Sequence, residues 1–287
     1  MNDCSFFDDT FDPNRTTEYH LSIQLKKSGY IYCILDTIWN RYIAAGCTNL
    51  ELNSTNRNSY FDFFLFKQTP LLRSTYRSIA FVYTTPKATL IPKSFFNPSK
   101  SAEYLRFNHF VDHSDEIQHK RLTKTGAYVV FSIPVALHES IQSTWSDVVV
   151  YHHSISLIEN ALLPPVRLTD EFDRRRLLLN CNDSFIEIAV VEQSKLLFYN
   201  TFKYRSDKDL VYFVMLVYKQ LKLNPAIHYL IISGDIEKTS PVYRVLYQYI
   251  RNIEFARFDT GFEYSTLFDT IPQQYFSNLI NLYRCVS

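Results

Sequence analysis

Residues 109 to 119 hold the densest set of possible metal ligands in the chain: His109, His113 and His119 with Asp112, Asp115 and Glu116. His109 and His113 stand four apart, a spacing that places two imidazoles on one face of a helix. No sharper signature such as HExxH accompanies them, so the stretch reads as an exposed polar loop and no metal site is assigned. His152 and His153 are adjacent; on a strand they point to opposite faces, so one buried and one exposed ring is expected. Arg174-Arg175-Arg176 could meet an anion, but such a run reads first as a solvated hinge face. Ser233-Gly234 closes an apolar run and reads first as a strand-to-helix turn, where glycine is the usual punctuation. No GxSxG, GxGxxG, GKS or GKT occurs, and no cysteine carries a nucleophile signature, so no residue is assigned a catalytic role.

These side chains must be positioned by a chain of 287 residues, too long for one ordinary core and natural for two domains. A net charge of +1 supplies no general field for polyanions, so nucleic-acid binding is disfavoured. Only five glycines are present, which leaves little material for loops that wrap phosphate. The 21 Tyr and 23 Phe are a surplus; Tyr60, Phe61, Phe63, Phe64 and Phe66 crowd one helical stretch, which argues for core or a partner-binding face. Cys4, Cys33, Cys47, Cys181 and Cys285 are odd in number, scattered and never CxxC. That pattern implies reduced thiols, no disulfide or zinc framework, and a cytoplasmic setting. The acidic start lacks a basic-then-apolar leader, so no signal peptide is expected. The longest strongly apolar run, residues 211–218, is far below the roughly 18 to 20 residues of a membrane helix, so no membrane insertion is expected.

Residues 19–25 alternate with period two, His20, Ser22 and Gln24 on one face and Leu21, Ile23 and Leu25 on the other, which predicts a half-buried strand. Turns at 26–29 and 39–41 separate it from strands at 30–36 and 42–47, a meander. Residues 175–181, 184–191 and 195–202 repeat the pattern. Aligning Gly29 with Ser184 gives an offset of 184 − 29 = 155. In the second half a helix from Ser206 or Asp207 stops at Asn224-Pro225, a strand follows at 228–232, and Ser240-Pro241 opens a helix to about 251. In the first half Ser59 opens a short helix over 60–67, and 78–84 is a strand. Both halves read βββαβ. The first half also carries a loop with Pro86, Pro92 and Pro98, a helix at 102–108, strands at 119–122 and 127–133 and a helix from Pro134, pieces suited to a small added subdomain at about 86–125. A strand at 148–151 and a helix at 154–162 reach Pro164-Pro165, the expected linker between lobes 1–164 and 165–287. A last helix at 272–283 is expected to cross back onto the first lobe.

A duplicated βββαβ unit resembles the actin, sugar kinase and Hsp70 superfamily, whose two lobes hold ATP between them, and more closely the pilus-assembly and secretion proteins of that fold. In those proteins the second lobe begins with a strand ending Asp-x-Gly and later has a strand ending Gly-Gly; the matching stretches here are 178–182 and 230–241. Over nearly its whole length the chain resembles a domain-of-unknown-function family of Bacteroidetes proteins with an actin-like ATPase fold. The stretches that prompt this are Leu21-Ser-Ile-Gln-Leu25, Ala88-Thr-Leu-Ile-Pro92 before Phe95-Phe96, Tyr104-Leu-Arg-Phe-Asn108 and Tyr128-Val-Val-Phe-Ser-Ile-Pro134. The resemblance implies an α/β fold, a duplicated βββαβα of ribonuclease H-like kind in two lobes with mixed sheets.

By position within that resemblance, the phosphate hairpins are represented by Gln24 and Lys26 and by Asn180 and Asn182, and the adenosine turn by Ser233 and Gly234. An Asp-x-Gly hairpin works because the carboxylate holds hydrated Mg²⁺ and the glycine admits phosphate to backbone N–H groups. Neither hairpin keeps the acid or the glycine, and an amide brings no charge. Asp183 and Asp235 lie near the inferred cleft by analogy. The expectation is a degenerate nucleotide cleft with no cofactor, and a non-catalytic protein that binds a protein partner or its own copy. The alternative is an ATPase or phosphotransferase using Mg-ATP. A third reading, a helper in ribosome maturation, is implied because genes of the resembling family often neighbour a ribosomal-RNA methyltransferase.

Overall fold

The computed structural model describes residues 4–49, 70–163, 175–258 and 261–286. They divide into two compact units: residues 4–49, 70–122, 126–153 and 261–271 in the first, and residues 123–125, 154–163, 175–258 and 272–286 in the second.

The first unit contains β1 (Cys4–Phe7), β2 (Tyr19–Leu25), β3 (Gly29–Asp36), β4 (Arg41–Asn49), β5 (Ser78–Tyr83), β6 (Ala88–Pro92), β7 (Asp115–Leu122), β8 (Ala127–Pro134) and β9 (Val149–His152). Its main sheet has the order β1-β4-β3-β2-β5-β9, and the short strand Glu263–Tyr264 pairs in parallel with β4. The β2–β3 and β3–β4 pairs are antiparallel, whereas β5 lies parallel to β2 and β9 parallel to β5. Strand β2 is buried along nearly its full length, so His20, Ser22 and Gln24 are covered rather than solvated as the alternation predicted. A separate antiparallel sheet, β6-β8-β7, is flanked in sequence by helices α1 (Ser101–Asn108) and α2 (Val135–Thr144) and runs past the bound of about 125 expected for an added subdomain. Strand β6 falls where the sequence reads as a proline loop. Pro86 precedes it and Pro92 ends it, so the prolines bound the ladder instead of interrupting it.

The second unit repeats the plan. After α3 (Ser154–Ala161) come β10 (Arg175–Cys181), β11 (Phe185–Glu192), β12 (Lys195–Lys203), α4 (Asp207–Gln220), β13 (Tyr229–Gly234), α5 (Pro241–Tyr249), β14 (Ile253–Phe255), α6 (Gln273–Ile280) and α7 (Leu282–Val286). The sheet order is β12-β11-β10-β13-β14, the counterpart of β4-β3-β2-β5-β9. The first two strands of each meander are related by 175 − 19 = 156 positions, one more than the turn alignment suggests. The closing hydrogen bonds agree: Lys26 N–H to Gly29 C=O at 2.7 Å and Asn182 N–H to Phe185 C=O at 3.0 Å. Helix α4 starts at a capping box formed by Ser206 and Asp209 and buries Leu210, Val214 and Val217 against Leu179, Ile188 and Leu230 of the sheet. Helices α6 and α7 belong to the second unit.

Several sequence expectations change once the chain is folded. Cys4 and Cys47, far apart in sequence, are register partners on β1 and β4 with Cα atoms 5.1 Å apart and are joined as a disulfide. That overturns the reading of five reduced thiols and removes its argument for a compartment. His152 and His153 are both buried, with ring centroids 4.2 Å apart, because β9 ends there and the chain turns into α3. Arg176 is no hinge cation; it is 4% exposed and donates to the carbonyls of Ala161 and Leu163. The predicted helix over 60–67, Arg174 and Pro164-Pro165 lie outside the described residues. Among the described residues, no helix is long and apolar enough to cross a membrane.

The buried His20 makes stability depend on pH. Burial pushes its imidazole from 6.5 down to about 4. The unfolded chain therefore takes up a proton that the fold refuses. This stabilisation is complete above pH 6.5 and is lost as pH falls toward 4, with a total on the order of 3 kcal/mol. Urea titrations between pH 7 and 4 should show that loss, and His20→Gln should flatten it.

Candidate functional site

The stretch that the resemblance places at the second phosphate hairpin belongs to a buried polar row that runs across the sheet of the second unit. Antiparallel register sets Asn180 on β10 opposite Glu187 on β11, and parallel register sets Asn180 beside Ser233 on β13. Glu187 is fully buried in a strand whose other residues, up to Val191, are apolar. Its Oε2 accepts from Asn180 Nδ2 at 2.7 Å and its Oε1 from the Tyr199 hydroxyl, on β12, at 2.6 Å. Burial and the neighbouring Glu187 charge push the Tyr199 phenol well above its ordinary value, which keeps it a donor. Asn180 Oδ1 in turn accepts from Ser233 Oγ at 3.1 Å and from Asn278 Nδ2, on α6, at 3.0 Å. Both ends of the Asn180 amide are therefore occupied from within the unit. An amide whose oxygen and nitrogen are both engaged within the fold has little to offer a hydrated cation, and it brings no charge to hold one.

Beyond the ends of β10 and β13 the loops meet. Gly234 has φ +85°, and a Cβ there would collide with the Cys181 carbonyl, its parallel-strand neighbour. Close backbone approach thus requires the glycine whether or not a ligand is present. Asn182 is 4% exposed; its carbonyl accepts from the Tyr204 hydroxyl at 2.8 Å, and its Nδ2 makes no hydrogen bond. Burial, together with the Asp235 and Asp183 charges, raises the Tyr275 phenol; burial, Cys181 and the same two aspartates push Tyr204 to about 12. Two carboxylates near this turn set a negative field where a phosphate-binding turn presents backbone N–H groups.

Of the six residues placed by the resemblance, the structure brings Asn180, Asn182, Ser233 and Gly234 together in the second unit. Gln24 and Lys26 belong to the first unit. Gln24 is buried and donates from Nε2 to Thr84 Oγ1 at 3.0 Å; Lys26 is also buried, at the turn after β2. The possible metal ligands of 109–119 go to separate partners. His109 contacts the Ala88 carbonyl at 3.0 Å, His119 packs on Phe96, Glu116 pairs with His138 and Asp115 with Lys87. Among the described residues no group of three such side chains is placed to hold a metal. Sequence reasoning missed Glu187, Tyr199 and Asn278. A signal for the first was present: with a turn at 182–184, a lone carboxylate in Phe-Ile-Glu-Ile-Ala-Val-Val falls opposite Asn180.

Two units with corresponding sheets, hairpins and polar rows define an actin-like ATPase fold. The solved structures similar to this chain agree. A Bacteroides thetaiotaomicron protein with actin-like ATPase fold and unknown function matches with TM-score 0.76 at 18% identity, over 86% of this chain and 94% of that one. A PilM-PilN type IV pilus biogenesis complex matches with TM-score 0.63 at 12% identity, over 95% and 99%. The ethanolamine utilization protein EutJ from Carboxydothermus hydrogenoformans matches with TM-score 0.51 at 8% identity, over 98% and 92%. The chain belongs to the family described as Protein of unknown function (DUF3822), whose model matches residues 8–253. No curated protein matches it in sequence.

An acid at position 180 should do harm. Asn180→Asp places a second carboxylate beside buried Glu187 and removes the amide donor, with an expected loss of about 3 kcal/mol by urea unfolding at neutral pH. The loss should shrink in acid, where the pair can share a proton. Gly234→Ala should cost about 2 kcal/mol or more from the positive φ and the Cys181 collision.

Proposed function

We propose that this chain is a non-catalytic binding protein on an actin-like frame, in which the nucleotide cleft is degenerate and the inserted subdomain presents a surface to a protein partner. The observation that carries the reading is a set of three phenylalanines on the insertion: Phe95, Phe107 and Phe110 are 74%, 89% and 82% exposed. They stand beside an ordered scaffold, because Phe96 stacks on Tyr128 at 3.9 Å and the Tyr104 hydroxyl donates to the Phe95 carbonyl at 2.7 Å. Large rings held out from a fixed frame provide contact area at small entropic cost. The engaged Asn180 amide, the side chains at both hairpin-glycine positions and the Asp183 and Asp235 carboxylates support the other half of the reading, that Mg-ATP is not held in the ancestral way. The PilM-PilN complex supports it by analogy, as a protein of this fold in a complex with another protein.

Mg-ATP should leave the thermal melting curve unmoved, whereas a rise of several degrees would favour the ATPase or phosphotransferase reading. Replacing Phe95, Phe107 and Phe110 together with serine should change stability by less than about 1 kcal/mol. The same variant should lose the stoichiometric partner that the wild-type chain recovers from native lysate. Sedimentation at rising concentration separates a foreign partner from a second copy. Retention of the same partner by the triple variant would sink the surface assignment.

A further inference from the structure

Strand β14 is the outermost strand of the second unit's sheet. Its ladder to β13 includes the Asn252 carbonyl, which accepts from Leu230 N–H at 2.9 Å, and the Ala256 N–H, which donates to the Ile232 carbonyl at 2.8 Å. Parallel pairing engages alternate residues, so the N–H and C=O groups of Ile253 and Phe255 point away from β13, off the edge of the sheet. Among the described residues no further strand pairs with them. An unpaired row of this kind is a template for an added strand.

The surroundings of the edge specify the strand that fits it. Phe255 stacks on Tyr243 of α5 with ring centroids 5.5 Å apart, and Tyr243 stacks on Tyr247 at 6.1 Å. Tyr247 is 62% exposed, so a strip of rings leads from the edge onto the helix. Arg251 and Arg257 lie two residues before Ile253 and two after Phe255, and Arg244 lies one helical turn before Tyr247; all three are exposed. Arg244 donates from Nη2 to the Thr239 carbonyl at 3.1 Å, and among the described residues none of the three forms an ion pair. Glu254, the carboxylate of the strand itself, alternates to the face opposite Phe255. Three guanidinium groups against that one carboxylate leave the edge positive, and their planar donors match carboxylate oxygens.

We infer that the β14 edge binds an extended acidic segment of another protein as an added strand, with carboxylates near Arg251 and Arg257 and apolar side chains on the Phe255–Tyr243–Tyr247 strip. A phosphate group has no donor for the outward carbonyls, whereas a peptide supplies a donor and an acceptor at strand spacing. A second copy paired antiparallel through the same edge would set Arg251 against Arg257 at both ends, and like charges directly opposite disfavour that pairing. An acidic strand meets neither obstacle. Backbone bonds give the segment its hold, and the flanking arginines select its charge. This surface lies in the second unit, goes beyond the reading of the insertion as a partner surface, and does not depend on it.

Fluorescence anisotropy of the full chain with the labelled peptide Glu-Thr-Val-Thr-Val-Thr-Glu, taken to millimolar concentration, tests the assignment. The peptide should bind, and its counterpart with lysine at both ends should bind about tenfold more weakly, the worth of two exposed charge pairs. N-methylation of one alternate set of peptide amides should abolish binding, while methylation of the other set is tolerated. Arg251→Glu with Arg257→Glu should reverse the preference between the two peptides and leave the melting curve in place. The Phe95, Phe107 and Phe110 serine variant should bind the acidic peptide as the wild type does, which separates failure here from failure of the insertion surface. No binding, equal affinity for the two peptides, or binding that survives both methylations overturns the proposal. So does tighter binding of oligouridylate that the double arginine variant loses, since that result would give the edge to nucleic acid.

Discussion

The buried carboxylate of Glu187 is the constraint around which the second unit is arranged. A carboxylate with no exposure to water must receive hydrogen bonds from neighbours, and the strands beside it supply two of them. The antiparallel register with β10 supplies Asn180, and β12 supplies Tyr199. Asn180 then has an oxygen to satisfy, which draws in Ser233 from β13 and Asn278 from α6. One charge thereby fixes the identity of four side chains on three other strands and a helix. An acid in place of Asn180 would set a second carboxylate facing the first across a dry interface.

The two units share a skeleton and differ in what occupies it. With the 156-residue offset, His20, Ser22, Gln24 and Lys26 of β2 and its turn correspond to Arg176, Leu178, Asn180 and Asn182. In each unit the same face of the first meander strand carries buried polar groups. In the first they form the His20–Ser22–Ser78 chain and the Gln24–Thr84 bond; in the second, the Arg176 anchor to two carbonyls and the Glu187 row. Duplication preserves the backbone ladder, which any alternating apolar sequence can satisfy, while each polar set is specified by its own cross-strand neighbours. The insertion follows a different logic. Its small sheet carries the Phe96–Tyr128 stack, and other aromatic rings beside it stand in water.

Much of the frame was legible in the sequence because strands and helices are local. Period-two runs located both meanders, Ser206 and Ser240 marked helix starts, and the repeat of βββαβ pointed to the actin-like architecture before any contact was known. Strand β6 was misread because proline weighs against a ladder unless it sits at a strand end. The family stretches at 88–92 and 128–134 prove to be hydrogen-bonded neighbours, β6 and β8, a pairing that no local pattern reveals.

By itself the sequence determined both meanders, their duplication and the scarcity of glycine, since these are properties of residue type and spacing. Tertiary structure alone decided which distant groups meet: Cys4 with Cys47, His20 with Ser78, Asn278 with Asn180, and Arg176 with the carbonyls of Ala161 and Leu163. The physical reason is that hydrogen bonds and sulfur–sulfur bonds act over a few ångströms in space, and sheet register, which sets those distances, depends on the whole layer of strands and helices packed together.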